Sequence, residues 1–370
     1  MKKFVICAIL DTLVASLLIL GLWVCGYLIP DKGVKAYDIN NRSEANLSTS
    51  DVSNAAQGKK RGNITDIEAL QDKLSQMQNA QIDSYQMTKV ALSKTDWRQK
   101  FSEKFSNTVS ADSNSYKSPN LAIEITKDSM DSGLIDHSDS EKHAKYGTKI
   151  AYTVADIYVG DITCLQTAFA DDIYGVGYTE KLSSMSDRMK SVLSVNGDSY
   201  SNNRHQNNGT IIRNGVIYRA QGTDMETCVL NWDGTMNIYS PGEINTQNLI
   251  DSGAYQSWIF GPSLLDEKGK AKTDFLTWDY IRESHPRTAI GYYEPGHYCL
   301  VVVDGRQADY SRGMFLNELA GVFEKLGCKA AYNLDGGHCS FMDMGSQTIT
   351  HPYKPEHEIQ DGIFLTEGLQ

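Results

Sequence analysis

Four short polar stretches of this sequence combine residue types that can hold an anion and move protons beside it. They are "NGDSY" at 196–200, "HPRTAIG" at 285–291, "VVVDGR" at 301–306 and "NLDGGHCS" at 333–340. Each lies where an apolar run meets a turn, and such loop positions often carry functional side chains. The candidate site residues are Asn196, Asp198, His285, Arg287, Thr288, Asp304, Arg306, Asp335, Gly336, Gly337, His338 and Ser340.

Arg287 and the glycine pair suggest how an anion would be held. The planar guanidinium of Arg287 matches two oxygens of a phosphate group. The Gly336-Gly337 turn can take positive φ and expose backbone N–H groups to the same anion. Asp335 or Asp304 could then act as proton donor, proton acceptor or nucleophile for cleavage at a sugar carbon. The residues alone leave open which carboxylate takes which part.

Each stretch also has a structural interpretation. An Asp-Gly pair after a strand is often an ordinary turn, and a single arginine is often part of an ion pair. His285, which precedes a proline, could simply end a loop. The sequence contains no GxSxG elbow, Walker loop, HExxH motif or EF-hand loop, so several common reaction classes are excluded.

Runs of β-branched or alternating residues predict the strands that position these stretches. The runs are "NLAIEIT", "KIAYTVADIYV", "TIIRNGVIYRA", "VLNWDGTMNIYS", "CLVVVDG" and "AAYNLDG", and they are bounded by Gly, Asn and Asp turns. The Asn-Gly pair at 214–215 and the Asp-Gly pair at 233–234 are typical of hairpin turns.

The segment "MFLNELAGVFEKLG" at 314–327 predicts a helix between the last two of these strands. Its apolar residues form one helical stripe, and Gly327 is a typical C-terminal cap. Strand, helix and strand together predict a βαβ unit with parallel strands, so Asp304 and Asp335 should emerge at the same sheet edge. We therefore expect one α/β (mixed α+β) catalytic domain, with a mixed sheet flanked by helices.

Composition narrows the class of protein. The 370 residues carry a net charge of -11, which argues against a nucleic-acid-binding protein because such proteins normally present a basic face. The seven cysteines contain no CxxC pair and match no small disulfide framework. We expect no cofactor. A divalent metal is compatible with several converging carboxylates, but no dedicated ligand spacing indicates one.

The first thirty residues predict a membrane anchor. Residues 4–29 are almost wholly apolar, follow Lys2 and Lys3, and end at Pro30, so the segment is long enough to cross a bilayer. A cleaved signal peptide is the alternative, although the apolar stretch is longer than a usual signal core. The lysines predict a single-pass protein of the cell membrane with everything after Pro30 on the extracytoplasmic side.

Residues 31–117 predict a polar tether followed by a helical stalk. Residues 31–62 are rich in Asn, Ser, Asp, Lys and Gly. Such a segment buries too little apolar surface to offset the conformational entropy lost on folding. From Ile64 to Phe101 apolar residues recur at roughly helical spacing. The alternative is a coiled coil through which the chain self-associates, although its heptads are not sustained.

The polar stretches, in this order, together with "GMFLNELAGVFEKLG", resemble the phosphodiester glycosidase family over residues 118–370. The resemblance implies hydrolysis of a sugar-1-phosphodiester, which frees the sugar and leaves a phosphomonoester on the other partner. It implies a polar site of Asn196, Asp198, Arg287, Thr288, Asp304, Arg306, Asp335, Gly336, Gly337 and Ser340. With His338 and His285 added from the sequence, we expect a catalytic group of Asp335, Asp304, Arg287, Asn196 and His338, and substrate contacts from Asp198, His285, Thr288, Arg306, Gly336, Gly337 and Ser340. His338 stands where relatives commonly have glycine, so its ring could narrow the pocket or supply a proton.

Location and resemblance together predict the substrate, a phosphate-linked glycan of the cell envelope such as a teichoic acid or an exopolysaccharide. Two other functions stay open. The chain could be a non-catalytic glycan-binding or polysaccharide-assembly factor that keeps the pocket for recognition, or a structural or signalling protein whose stalk oligomerises. Turnover of a sugar-1-phosphodiester separates the first prediction from both.

Overall fold

The computed structural model of the chain describes residues 34–35, 86–90, 97–201 and 208–368. Its strands are β1 (Val34–Lys35), β2 (Gln86–Met87), β3 (Ser110–Ala111), β4 (Ser115–Lys117), β5 (Leu121–Asp131), β6 (Lys149–Val159), β7 (Leu165–Phe169), β8 (Ile173–Tyr174), β9 (Glu180–Lys181), β10 (Leu193–Asn196), β11 (Thr210–Arg213), β12 (Val216–Ala220), β13 (Thr227–Asn231), β14 (Met236–Tyr239), β15 (Ala254–Trp258), β16 (Arg287–Glu294), β17 (His297–Val303), β18 (Ala330–Asn333), β19 (Met342–Met344), β20 (Gln347–Thr348), β21 (Glu358–Ile359) and β22 (Asp361–Leu365).

The helices are few and short. The α-helices are α1 (Trp97–Lys100), α2 (Leu182–Met189), α3 (Thr246–Ser252) and α4 (Leu316–Leu326). Single 3₁₀ turns occur at Asp139–Glu141, Ala144–Tyr146, Ile162–Cys164, Ala170–Asp172, Asp279–Arg282 and Gly337–Cys339. The described chain is therefore a mixed α+β fold dominated by sheets, which confirms the mixed class that the sequence predicts.

Two sheets carry most of the fold. One has seven strands in the order β18-β16-β17-β6-β5-β4-β3, and the other has five in the order β20-β19-β10-β22-β7. Smaller sheets, β11-β12-β2 and β14-β13-β15, complete the body. Hairpins join β11 to β12 through Asn214-Gly215 and β13 to β14 through Asp233-Gly234, as predicted from those dipeptides. Both residues of the first turn have positive φ, 51° at Asn214 and 81° at Gly215, as a type I′ hairpin turn requires.

Strand β17 shows why its sequence is an unbroken apolar run. Its side chains alternate between the two faces of the seven-stranded sheet, and both faces are covered. Leu300 and Val302 pack into the core shared with the five-stranded sheet. Val301 and Val303 pack into a second core beneath α4. A strand buried on both sides has no polar face, which produces the apolar run in the sequence.

Helix α4 covers the outer face of the seven-stranded sheet with the predicted stripe. Leu316, Leu319 and Phe323 are all at most 2% exposed, and burying each side chain contributes about 1.5–3 kcal/mol. Gly327 ends the helix with φ 82°, and its N–H donates to backbone carbonyls of the last turn. The predicted glycine cap is therefore confirmed.

The predicted parallel pair is present, with one strand inserted between its members. Strand β16 pairs antiparallel with β17 on one side and with β18 on the other. Strands β17 and β18 therefore run in the same direction, and α4 connects them across β16. The end of both strands and the start of β16 meet at one edge of the sheet. That edge carries the polar stretches.

The predicted helical stalk is wrong at residues 86–87, which form a strand, whereas Trp97–Lys100 is helical. Gln86 and Met87 form strand β2, which pairs with Val216 and Ile217 of β12. Pairing with an existing sheet edge satisfies this backbone without a helix. Short helix α1 places Trp97 in the main hydrophobic core, and Phe101 follows it there. Of the predicted tether and stalk, residues 31–33, 36–85 and 91–96 lie outside the described residues.

Among the described residues, no helix is long and apolar enough to span a membrane. The predicted anchor at residues 1–30 lies outside the described residues. The predicted start of the catalytic domain at Ser118 stays a prediction. Strands β3 and β4 lie before Ser118 in the sequence, and both belong to the seven-stranded sheet.

Candidate active site

Strand register brings three of the polar stretches to one place. Arg287, the first residue of β16, pairs with Val303 at the end of β17, and Ala289 pairs with Asn333 at the end of β18. Asp304 directly follows β17, and Asp335 lies two residues beyond β18. The prediction that both acids emerge at one sheet edge is therefore confirmed.

A small cavity of about 110 Å³ opens at this edge. Its walls are Phe260, Tyr280, Ile281, His285, Pro286, Arg287, Arg306, Asp335, Gly336 and Gly337. Ligand pockets that enclose a whole small molecule usually exceed about 300 Å³. This cavity can therefore enclose a phosphate-sized group, and the rest of a larger ligand would lie outside.

Arg287 is a buried cation held by backbone carbonyls. Its side chain is 2% exposed. Nε donates to Met314 O at 3.0 Å, and Nη2 donates to Ile281 O and Glu283 O at 2.6 Å each. Within the described chain, Nη1 has no hydrogen-bond partner and no carboxylate lies within ion-pair distance. Burial, and then the charge of Arg306, lowers the pKa of Arg287 to about 9. A positive charge without a protein anion favours an anionic ligand.

Arg306 and His285 form the second part of the cationic wall. Arg306 Nη2 lies 3.2 Å from His285 Nδ1, and Nη1 donates to the hydroxyl of Tyr353 at 2.7 Å. His285 Nε2 lies 2.7 Å from Tyr280 O, which can only accept, so Nε2 carries the proton and Nδ1 accepts from Arg306. Burial, and then the charge of Arg287, lowers the pKa of His285 to about 2. The imidazole is therefore neutral and orients Arg306.

Asp335 is the one carboxylate among the residues that line the cavity. Burial raises the pKa of Asp335 to about 6, against a lowering effect from the Gly336 N–H, which donates to Oδ1 at 2.8 Å. Its backbone is fixed on both sides, because its N–H donates to Gly197 O at 3.1 Å and its carbonyl accepts from Asn196 Nδ2 at 2.7 Å. A carboxyl with this pKa is mostly ionised at neutral pH and still basic enough to take a proton.

The glycine pair has a different role from the predicted one. Gly336 N–H is bonded to Asp335, and Gly337 N–H donates to Pro286 O at 2.9 Å, so neither is free for an anion. A Cβ at Gly336 would lie 2.8 Å from Pro286 O, too close for any other residue. Gly337 has φ 68°. The pair lets two loops touch and shapes the cavity wall.

Asn196 and Thr288, predicted to act on substrate, lie behind the cavity. Thr288 Oγ1 donates to Asn196 Oδ1 at 2.6 Å, and Asn196 Nδ2 donates to Asp335 O. Both side chains are at most 1% exposed, so each reaches the cavity only through Asp335. They connect β10 and β16 to the loop after β18.

Asp198 lies in a fully buried ion cluster with two residues that sequence reasoning missed, Arg213 and Asp361. Arg213 pairs with Asp361 and lies 3.8 Å from Asp198 Oδ2. All three side chains are at most 2% exposed. Burial raises the pKa of Asp198 to about 8. The available signal for both was a charge inside an apolar strand, "TIIR" and "DGIFL".

Three other predicted residues lie outside the cavity wall. Asp304 is 4% exposed and accepts from His351 N–H and the Tyr310 hydroxyl, both at 3.0 Å. His338 stacks on His357 with ring centroids 4.7 Å apart, and its Nε2 lies 2.9 Å from a backbone carbonyl. Ser340 Oγ is buried without a hydrogen-bond partner among the described residues. The structure thus assigns Asp304 to loop anchoring and His338 to the surface.

Within the described residues, no group of three or more His, Cys, Asp or Glu side chains is arranged to hold a metal ion. The polar side-chain groups of the cavity wall are two guanidinium groups, a neutral imidazole, the phenol of Tyr280 and a single carboxyl. Such a set can bind an anion and transfer one proton beside it.

Comparison with known proteins adds a family and a fold. Residues 189–366 match the model of a family described as phosphodiester glycosidase. The SPbeta prophage-derived uncharacterized protein YomE of Bacillus subtilis (strain 168) is 32% identical over 194 residues, which are 51% of this chain and 29% of YomE. The chain thus spans less than a third of that relative. The zebrafish N-acetylglucosamine-1-phosphodiester alpha-N-acetylglucosaminidase catalytic domain, auto-inhibited by its pro-peptide, has a TM-score of 0.52 at 21% identity. That match covers 70% of this chain and 87% of the zebrafish domain, and it shows a common fold.

Proposed function

We propose that the chain hydrolyses a glycosyl phosphodiester in a phosphate-linked glycan, and the match of residues 189–366 to the phosphodiester glycosidase family model supports this. The observation that carries the proposal is the cavity whose wall holds both Arg287, which has no carboxylate within ion-pair distance among the described residues, and the carboxyl of Asp335. The products are a free sugar and a phosphomonoester on the other partner.

Arg287 and Arg306 bind the phosphate. A phosphodiester carries one negative charge, which matches a wall with two guanidinium groups and no carboxylate partner for Arg287. As the bond between C1 and the phosphate oxygen breaks, that oxygen gains charge, and both cations stabilise it. The leaving phosphate therefore needs little help from a general acid.

Asp335 acts on the sugar side of the bond. Ionised Asp335 takes a proton from water as the water oxygen attacks C1, and the electron pair of the C1–O bond leaves with the phosphate. A double displacement would need a second group to activate water. The other lining side chains with acid–base chemistry are the two arginines, His285, whose two ring nitrogens are both engaged, and the phenol of Tyr280, which is a far weaker base than a carboxylate. We therefore propose a single displacement that inverts the anomeric carbon.

The envelope location is part of the proposal and rests on sequence. Residues 4–29 form an apolar stretch of membrane-spanning length after two lysines. A catalytic domain outside the membrane would meet phosphate-linked glycans such as teichoic acids and exopolysaccharides. Fractionation of cells that produce the full chain, followed by protease treatment of intact cells, tests this location.

A panel of sugar-1-phosphodiesters with one small alkyl partner tests the reaction and finds the sugar. We expect sugar release for one or more sugars, with the inverted anomer detected first by proton NMR. Arg287→Ala and Asp335→Asn should abolish release while the far-ultraviolet circular dichroism stays unchanged. Near-normal rates in both variants would refute the assignment, and saturable binding without release by the wild type would favour the glycan-binding alternative.

A further inference from the structure

The buried ion cluster of Arg213, Asp198 and Asp361 lies directly behind the cavity and is connected to it through backbone. Gly197 N–H donates to Asp361 O at 2.9 Å, and Gly197 O accepts from Asp335 N–H at 3.1 Å. A Cβ at position 197 would lie 2.5 Å from Asp361 Oδ1, so glycine is required at this contact. The position of Asp361 therefore fixes the backbone of Asp335 through a single residue.

The same cluster fixes a second wall of the cavity. Asp198 Oδ2 accepts from Ile259 N–H at 2.7 Å, and Oδ1 accepts from Phe260 N–H at 2.8 Å. Asp361 Oδ1 in turn accepts from Asp198 N–H at 2.6 Å. Since Phe260 lines the cavity, one ion cluster controls the position of two walls that come from distant parts of the sequence.

We propose that Arg213 and Asp361 are positioning residues for the reaction, which hold Asp335 and Phe260 in place and set the charge behind Asp335. The inference rests on the proposed function. Neither residue contacts the cavity, so each acts only through its neighbours. Arg213 donates from both Nε and Nη2 to Asp361 Oδ2, and this contact leaves Asp361 Oδ1 to accept from Asp198 N–H.

The charge of Asp361 acts on the proton of Asp335. The charged and titratable groups that face Asp335 are Cys339 on its own loop, Asp361 behind it, and the cationic wall across the cavity. Asp361 is one of the groups that raise the pKa of Asp335. Replacing Asp361 by asparagine keeps its shape and removes its charge, so the Asp335 carboxyl should ionise at lower pH.

The experiment compares the wild type with Asp361→Asn and Arg213→Lys, all as full chains. The pH dependence of kcat/KM is measured together with a carbon-13 NMR titration of aspartate carboxyls, in which Asp335→Asn assigns the resonance. In Asp361→Asn we expect two midpoints to move to lower pH by about 0.5 pH unit. These are the midpoint of the acidic limb of the kcat/KM profile and the midpoint of the Asp335 carboxyl titration. Arg213→Lys keeps the positive charge but loses the planar guanidinium with its two donors to Asp361. We therefore expect kcat to fall about tenfold while the midpoint of the acidic limb stays unchanged.

An Asp335 titration that is the same in the wild type and Asp361→Asn would overturn the charge role. Normal kcat in Arg213→Lys would overturn the positioning role. If Asp361→Asn does not fold, Arg213→Lys still tests positioning. If the wild type hydrolyses no phosphodiester, the proposed function fails, and the NMR titration still decides whether Asp361 sets the ionisation of Asp335.

Discussion

Arg213 and Arg287 are both arginines buried to 2% exposure, yet their surroundings differ in kind. Arg213 is paired with Asp361 and lies near Asp198, deep in the fold. Arg287 is held by three carbonyls, and the structure gives it no carboxylate within ion-pair distance among the described residues. The charge of Arg213 is neutralised inside the protein, so it stabilises the fold. The charge of Arg287 lies at the cavity wall and is available to an anionic ligand, and this difference is the basis of the proposed function.

The largest expected effect is on stability, from Arg213→Met. The substitution leaves Asp361 as a buried charge without its cation, which should cost about 3–5 kcal/mol of unfolding free energy. Arg287→Met removes a charge that has no carboxylate within ion-pair distance among the described residues, so it should cost about 2 kcal/mol less than Arg213→Met. Urea unfolding followed by tryptophan fluorescence measures both. Equal losses would show that the two arginines have the same role.

The next effect is on catalysis, from Arg287→Met. Loss of the guanidinium that stabilises the leaving phosphate should lower kcat/KM about 100- to 1000-fold in steady-state release assays. Arg287→Lys is the matched variant, because it keeps a charge without the fork, and it should retain an intermediate rate. A decrease of less than threefold in Arg287→Met would remove this arginine from the reaction.

The third effect is on the pH dependence of the rate, which reports the ionisation of Asp335 in the cavity wall. Burial raises the pKa of Asp335 to about 6, and the proposed base must be ionised. The rate should therefore fall about tenfold per pH unit below this value, level off above it, and fall again as pH rises through about 9, where Arg287 loses its charge. A profile that instead declines as pH rises through 6 would assign Asp335 the part of a proton donor.

The smallest expected effect is the rise in Tm when an anion binds to the cavity without being turned over. Inorganic phosphate at millimolar concentration, against chloride at equal ionic strength, should raise the wild-type Tm by about 1–3 °C. Arg287→Met should lose this shift. A shift that persists in Arg287→Met would locate the anion at another cation.

Sequence reasoning recovered the parts of the fold with strong local patterns. The strands, the hairpin turn at Asn214 and the helix that ends at Gly327 each follow from periodicity or from one residue's backbone preference. The convergence of Asp304 and Asp335 at one edge followed from the strand, helix and strand pattern. Strand β2 was missed because Gln86 and Met87 have no strand pattern of their own and pair only through tertiary contact.

The sequence predicted the chemical groups of the site better than it predicted which side chains face the cavity. Arg287 and Asp335 lie in the cavity wall as expected, whereas Asn196 and Thr288 reach it only through other residues. Spacing cannot distinguish a side chain that faces a cavity from one that supports it. Arg213 and Asp361 were missed for a related reason, since a charge in an apolar strand reveals its partner only after folding.

The most direct test of the central claim is phosphorus-31 NMR of a sugar-1-phosphodiester at pH 8 with the wild type, Asp335→Asn and Asp304→Asn. We predict that the wild type and Asp304→Asn convert the diester resonance into that of a monoester, while Asp335→Asn leaves it unchanged. Conversion by Asp335→Asn at the wild-type rate would show that Asp335 is not the catalytic carboxyl.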